Sequence, residues 1–258
     1  MSGRAPDGSA PTRAAVRDRL DRVTDPELDR SIVALEYVDA IEIDAQRVAV
    51  DLTLPTAWCS PAFAWMMAID ARDEVESLPA VEESRITLHD HMHETEINRG
   101  VNERLSFGEA FPDADGDVAA VRAELDEKAR VARQYDAVET LLEAGLDGES
   151  IVDVRVRDLE IDRSTDTVAV YVQDRSFAVT VPPEPIERYL EKARKTDLVS
   201  EPDTPLFRTP EGDPIDPGSF ALVHRRGRLA RVNMSSQGGI CDGLREARAD
   251  RLEGAADD

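Results

Sequence analysis

Residues 47–69 read RVAVDLTLPTAWCSPAFAWMMAI, and the fold can be built outward from them. Val48, Val50 and Leu52 recur with the period of two that a half-buried strand needs. The strand gives way to a Thr- and Pro-containing loop through Cys59. Ser60 then has the chemistry of a helix N-cap, and Pro61 suits the first helical position, where its missing N–H costs nothing. The spacing predicts a helix over 61–76. Residues 62–69 are apolar all round, so its first two turns should be buried. Cys59 is thus placed between a strand end and a helix start.

N-terminal to this stretch, Val16, Leu20 and Val23 lie at helical spacing and predict a helix over 13–23. Asp25-Pro26-Glu27 ends it, because proline cannot continue a helix and restricts the residue before it. Ile32-Val33-Ala34-Leu35 follows, then an alternating strand over 38–43 joined to the next by an Asp44-Ala45-Gln46 hairpin. On the C-terminal side, 84–88 reads as a third strand. The order α-β-β-α-β defines a small two-layer assembly of helices on a sheet. A helix near 94–104, a loop at 111–116 and a long helix over 118–144 come next, with Gly145 as its stop.

The expected organisation is a flexible tail over 1–12, a first domain with helical extension over 13–145, a second domain over 146–252 and a flexible tail over 253–258. In the second domain, 151–161, 168–172 and 177–181 read as antiparallel strands, 184–195 as a helix, and 201–218 as a Pro- and Asp-rich loop. Residues 220–230 fit helix or strand, and Gln237-Gly238-Gly239 opens a last helix. The hairpin around Glu160-Ile161-Asp162 echoes that around Glu42-Ile43-Asp44; short alternating runs of this kind recur by chance, so two similar hairpins are the simpler reading. The fold class expected is α/β in the broad sense, an α+β protein of two parts.

The 258 residues include 54 acidic and 31 basic side chains, for a net charge of −23. Only Lys128, Lys192 and Lys195 are lysines. This acid-rich, lysine-poor composition is like that of proteins from salt-loving archaea, where acidity is a solubility device; an acidic face for a basic partner is the other reading. Binding to nucleic-acid phosphates is not expected, since it requires clustered Lys and Arg. The local exception, Arg225, Arg226, Arg228 and Arg231, is read as neutralising the chain's own carboxylates. No run of 18 apolar residues exists, so no membrane helix is expected. The start of the chain lacks the apolar core of a signal peptide, and the expected location is cytoplasmic. Two cysteines are too few for a disulfide scaffold.

Just before a helix N-terminus, Cys59 meets backbone N–H groups and a dipole that favour thiolate over thiol. A thiolate binds iron, binds a cluster or attacks an electrophile. The alternative from position alone is a structural cysteine buried beside Trp58 and Phe63. Four pieces bear on the choice: Asp25-Pro26-Glu27, Ile32-Val33-Ala34-Leu35, the strand Val48 to Leu54, and Thr53-Leu54-Pro55-Thr56-Ala57-Trp58-Cys59-Ser60-Pro61. In order and spacing, residues 16–90 resemble the PaaD-like iron–sulfur-cluster assembly domain. The loop departs from the family's usual pattern, which has proline two residues before the cysteine and directly after it, where this chain has Ala57 and Ser60. The resemblance implies a role in cluster assembly or maturation, with Cys59 binding metal or cluster and Asp25 and Glu27 serving as caps or partner contacts. It implies an iron–sulfur cluster or iron, transiently bound, and as partners client apo-proteins and other cluster-assembly proteins. A homodimer is a further expectation. The stretch His89-Asp90-His91 and the helix after it look like an extension found beside multicomponent oxygenases, which would make a metal oxygenase a client.

Three of the four histidines, His89, His91 and His93, fall within five residues. A continuing strand would put them on one face, where with Glu94 or Glu96 they are candidate ligands. Consecutive same-face residues lie roughly 6–7 Å apart, so three ligands to one ion would need a bend. A polar strand end is the alternative. His91 is the first choice, with Asp90 as an orienting partner. Cys241 follows a Gly-Gly turn at a second expected helix start and could share a site with Cys59. No P-loop, nucleophile-elbow, zinc-protease or dinucleotide motif is present. An enzymatic reading needs Cys59 as nucleophile with a histidine base, and places His91 within reach of the thiol. A plain adaptor is the remaining alternative.

Overall fold

A computed structural model describes residues 10–114 and 118–234. The chain divides into two compact units at Val118/Ala119. The long helix Val118–Glu143 therefore lies almost wholly in the second unit, whereas the sequence reading attached it to the first. The fold is α+β.

The first unit opens with helix α1 (Arg13–Leu20), capped by the Thr12 hydroxyl on the Ala15 amide at 3.1 Å. The expected extension to Val23 is replaced by a turn into a two-stranded ribbon, β1 (Thr24–Asp25) and β2 (Arg30–Ser31). Strands β3 (Val38–Asp44), β4 (Arg47–Thr53) and β5 (Glu83–His89) form a sheet in the order β3-β4-β5. The first pair is antiparallel across a tight hairpin in which Ala45 takes φ 55°. The second pair is parallel, from Arg47 opposite Glu83 to Thr53 opposite His89. Parallel neighbours require a crossover, and helix α2 (Pro61–Glu76) supplies it. Val48, Val50 and Leu52 point into the core with Ile86 and Leu88, against Ala64, Trp65, Met67, Ala68 and Ala71 of α2. The α-β-β-α-β order read from the sequence is present.

Helix α3 (Glu94–Asn102) and the short α4 (Phe107–Ala110) complete this unit. In a strand the N–H and C=O of one residue point to the same side, so Ile86 and Leu88 turn theirs away from β4. Asn102 meets both groups of Ile86: its Oδ1 accepts from the amide at 3.0 Å and its Nδ2 donates to the carbonyl at 2.8 Å. Asn98 treats Leu88 the same way, at 2.7 and 2.9 Å. Four residues of helix rise about 6 Å and two of strand about 6.6 Å, so one helix face can serve alternate strand residues. The side-chain amides stand in for a fourth strand and close an edge otherwise open to foreign chains. Gly100, on the same helix, allows close approach: a Cβ there would lie 2.5 Å from the Trp65 ring.

In the second unit, α5 (Val118–Glu143) ends at Gly145, which takes φ 96°, as the sequence suggested. The predicted strand over 151–161 is instead helix α6 (Gly148–Asp153), a 3₁₀ turn at Val156–Asp158 and strand β6 (Leu159–Asp162). The reason is a cap: Asp147 accepts from the Ser150 amide at 2.8 Å and starts a helix where the apolar run alone suggested a strand. Strands β7 (Thr167–Val172) and β8 (Phe177–Val181) complete an antiparallel sheet in the order β6-β7-β8. Helix α7 (Pro183–Lys195) follows, and residues 220–234 are helical, which resolves the helix-or-strand alternative.

A polar stripe on α5 holds this unit together. Asp126 accepts from Lys192 at 2.6 Å and pairs with Lys195 at 3.2 Å, so two of the three lysines serve one carboxylate. Burial pushes the Asp126 carboxyl up, but the two ammonium groups outweigh it and hold it below its ordinary value. Arg130, fully buried, donates to the carbonyls of Thr209 and Pro210. Of the four clustered arginines, Arg226 pairs with Glu211 and Arg231 with Asp136.

Candidate functional site

Cys59 sits where β4 has ended and α2 has not begun. Its amide closes a turn onto the Thr56 carbonyl at 3.4 Å, and Trp58 N–H bonds the Thr56 hydroxyl at 3.2 Å. Ser60 occupies the N-cap position, but its side chain makes no capping bond; the helix starts through its carbonyl, which accepts from Phe63 and Ala64 at 3.0 Å each. Cys59 is half-buried against the rim of the core with Phe63. Trp58, which the alternative reading of a buried structural cysteine packed beside it, is 75% exposed.

The histidines do not share a face. Strand β5 stops at His89, and Asp90 turns the chain with φ 55°, a conformation Asp tolerates better than most residues. His89 stays on the exposed sheet rim, its Nε2 3.3 Å from Asp51. His93 lies at the N-cap position of α3, 4.0 Å from Glu96, with its ring edge-on to Phe111. His91 turns inward and is 6% exposed. Its Nε2 lies 3.0 Å from the Cys59 carbonyl oxygen, and its Nδ1 is 3.2 Å from the His93 amide. An amide can only donate, so Nδ1 accepts; Nε2 then carries the proton and donates to the carbonyl, which fixes a neutral tautomer. Burial, joined by the neighbouring His93, holds the His91 pKa below its ordinary value, although the bond to Cys59 acts the other way.

These contacts bind two loops. Met92 N–H donates to the Ala57 carbonyl at 3.0 Å beside the His91–Cys59 bond. Trp58 and Met92 are the large apolar side chains of the first unit left exposed among the described residues, at 75% and 53%, and both lie on the joined loops. With both His91 nitrogens engaged by backbone groups, neither is placed to ligate metal or to take a proton from the thiol. Among the described residues no group of three or more His, Cys, Asp or Glu side chains is arranged to hold a metal ion. Cys241 lies outside the described residues. Asp25 is buried, with Oδ1 accepting from the Glu27 and Leu28 amides at 2.9 and 3.1 Å and Oδ2 from the Tyr37 hydroxyl at 3.3 Å. It caps the turn; Glu27 is half-buried in it.

A family model described as iron–sulfur cluster assembly protein matches residues 13–88. An uncharacterized protein of Methanocaldococcus jannaschii is 30% identical over 94 residues, which are 36% of this chain and 97% of that one. The chain belongs to the iron–sulfur cluster assembly protein family. The family resemblance read from the Asp-Pro-Glu turn, the strand and the cysteine loop holds. The family match ends at Leu88, yet β5 runs through His89, and α3 is bonded to it. The loop 90–93 and its clasp on Cys59 therefore lie beyond the matched segment. The sequence singled out Cys59 and His91 as candidates but not Trp58 and Met92 as surface groups. Nor did it single out Asn98 and Asn102, whose i, i+4 spacing was the available signal. Among the described residues no helix is long and apolar enough to cross a membrane.

Proposed function

We propose that the protein is a maturation factor that carries iron or an iron–sulfur cluster on Cys59 and passes it to client apo-proteins. The observation that carries this reading is the setting of Cys59. The thiol-bearing residue is half-buried on a loop held by hydrogen bonds, directly beside a tryptophan left in water. A catalytic thiol would call for a base, and the ring of His91 is engaged elsewhere. An exposed Trp58–Met92 pair suits transient contact with another protein surface. The family membership supports cluster chemistry, and a metal oxygenase is one client class.

A cluster needs about four thiolate-type ligands, and Cys59 offers one. The rest would come from a second copy of the chain, from Cys241 or from the acceptor, which makes the bound state transient. Purification under anaerobic conditions, with iron, sulfide and visible absorption measured for the wild type, Cys59→Ser and Cys241→Ser, tests the proposal. The expected result is loss of metal in Cys59→Ser; retention in Cys241→Ser removes Cys241 as a ligand. A colourless wild type that also fails to take up a cluster on reconstitution overturns the carrier role.

A further inference from the structure

We infer that His91 is a positioning residue that fixes the backbone of Cys59 for metal or cluster loading. The inference rests on the carrier reading of Cys59 and adds to it a residue outside the family-matched segment. His91 and Cys59 are 32 residues apart in sequence, on loops that leave neighbouring parallel strands. Asp90, in the left-handed region, ends β5 abruptly and returns the next residue toward the sheet end. The imidazole then uses both edges. One nitrogen donates to the carbonyl of Cys59 itself, and the other accepts from His93 N–H, which orients the ring. The Met92–Ala57 backbone bond lies alongside, so the cysteine loop is held at two successive points.

The loop has specific need of such a restraint. The Ser60 side chain makes no capping bond, and the Cys59 amide closes its turn at a long 3.4 Å. Between Pro55 and Pro61 no proline fixes φ. A carbonyl anchored at Cys59 restricts the rotation that sets where Cβ and Sγ point. A ligand held in its loaded geometry avoids an ordering cost when metal arrives.

Two variants isolate the bond. His91→Gln can both donate to the Cys59 carbonyl and accept from His93 N–H. His91→Glu, of the same shape, accepts as a carboxylate but cannot donate. Both are made in the full-length Cys241→Ser chain, so that iodoacetamide reads one thiol. The alkylation rate in the folded protein should differ between the two by about two- to tenfold, the range carried by a single hydrogen bond. Gln should stay nearer to the parent, and iron–sulfide reconstitution, read by visible absorption, should fall with Glu and recover with Gln. Melting midpoints measured alongside detect a purely structural effect: equal alkylation rates and equal cluster yield, with only the midpoint changed, overturn the inference. If Cys59→Ser loads a cluster like the parent, the carrier reading fails, while the alkylation comparison still decides the positioning.

Discussion

Replacing Asn102 by alanine tests whether side chains complete the sheet of the first unit. The change removes three hydrogen bonds: those to the amide and carbonyl of Ile86, at 3.0 and 2.8 Å, and one to the Asn98 carbonyl at 2.7 Å. Each net bond is worth about 0.5–1.5 kcal/mol, and a buried group left unsatisfied costs about 1–3 kcal/mol. Asn102 is half-buried, so water can reach part of the vacated space. Alanine also gains about 0.7 kcal/mol of helix propensity. A net loss of about 2 kcal/mol is expected. Both tryptophans, Trp58 and Trp65, lie in the first unit, so urea unfolding followed by tryptophan fluorescence reads it selectively. A shift of about 2 kcal/mol on a domain of this size corresponds to roughly 8–16 °C in melting midpoint. Asn98→Ala should behave similarly, and the double variant should expose the β5 edge and promote self-association at high concentration. A stability change under about 0.5 kcal/mol, the ordinary range for surface substitutions, would refute the idea that the amides substitute for a strand.

Gly100→Ala should destabilise the same unit despite better helix propensity, because its Cβ would stand 2.5 Å from one Trp65 ring carbon and 2.9 Å from the Ala110 Cβ. Overpacking of this kind costs about 1–3 kcal/mol and should also shift the fluorescence of the buried Trp65, measured in the folded protein. For Asp25, burial raises the carboxyl pKa above 3.8 against the pull of the Glu27 and Leu28 amides and the Tyr37 hydroxyl. The folded state thus holds the proton more tightly than the unfolded chain, so this group's contribution is most favourable below the unfolded pKa. It declines as pH rises through the folded value. Asp25→Asn, which keeps an acceptor for both amides, should gain relative to the parent between pH 4 and pH 7. Asp25→Ala should lose about 1–2 kcal/mol as a missing cap. Parallel denaturant titrations at the two pH values check both, and an Asn variant whose difference from the parent is independent of pH would count against the burial argument.

Regular elements were legible wherever a period or a terminus signal determined them. Val48, Val50 and Leu52 declared β4, and Ser60-Pro61 declared the start of α2. The Asp25-Pro26-Glu27 turn and the cysteine loop, taken in order, were enough for the family. Apolar runs without a decisive period were less informative. Residues 151–161 contain alternating apolar side chains, but Asp147 bonding the Ser150 amide outweighs that pattern at its start. Leu20 to Val23 similarly looked helical, yet the chain turns there to pair Thr24 with Ser31.

The site illustrates a different limit. A strand that continued past His89 would have put the three histidines on one face, as candidate ligands or as a polar strand end. One residue, Asp90, entering the left-handed region, assigns them three different surroundings: Asp51 for His89, backbone for His91, Glu96 and Phe111 for His93. The same reversal sends α3 back along β5, where Asn98 and Asn102 reach it. The turn at Asp90, the edge seal by α3 and the clasp on Cys59 are thus geometrically coupled. A substitution that straightens the turn would disturb the sheet edge and the cysteine loop together, although the cysteine loop is far from Asp90 in sequence. Residue type does not name the backbone partner of a side chain, which is why the sequence offered His91 as a candidate ligand and not as the group that holds the cysteine loop.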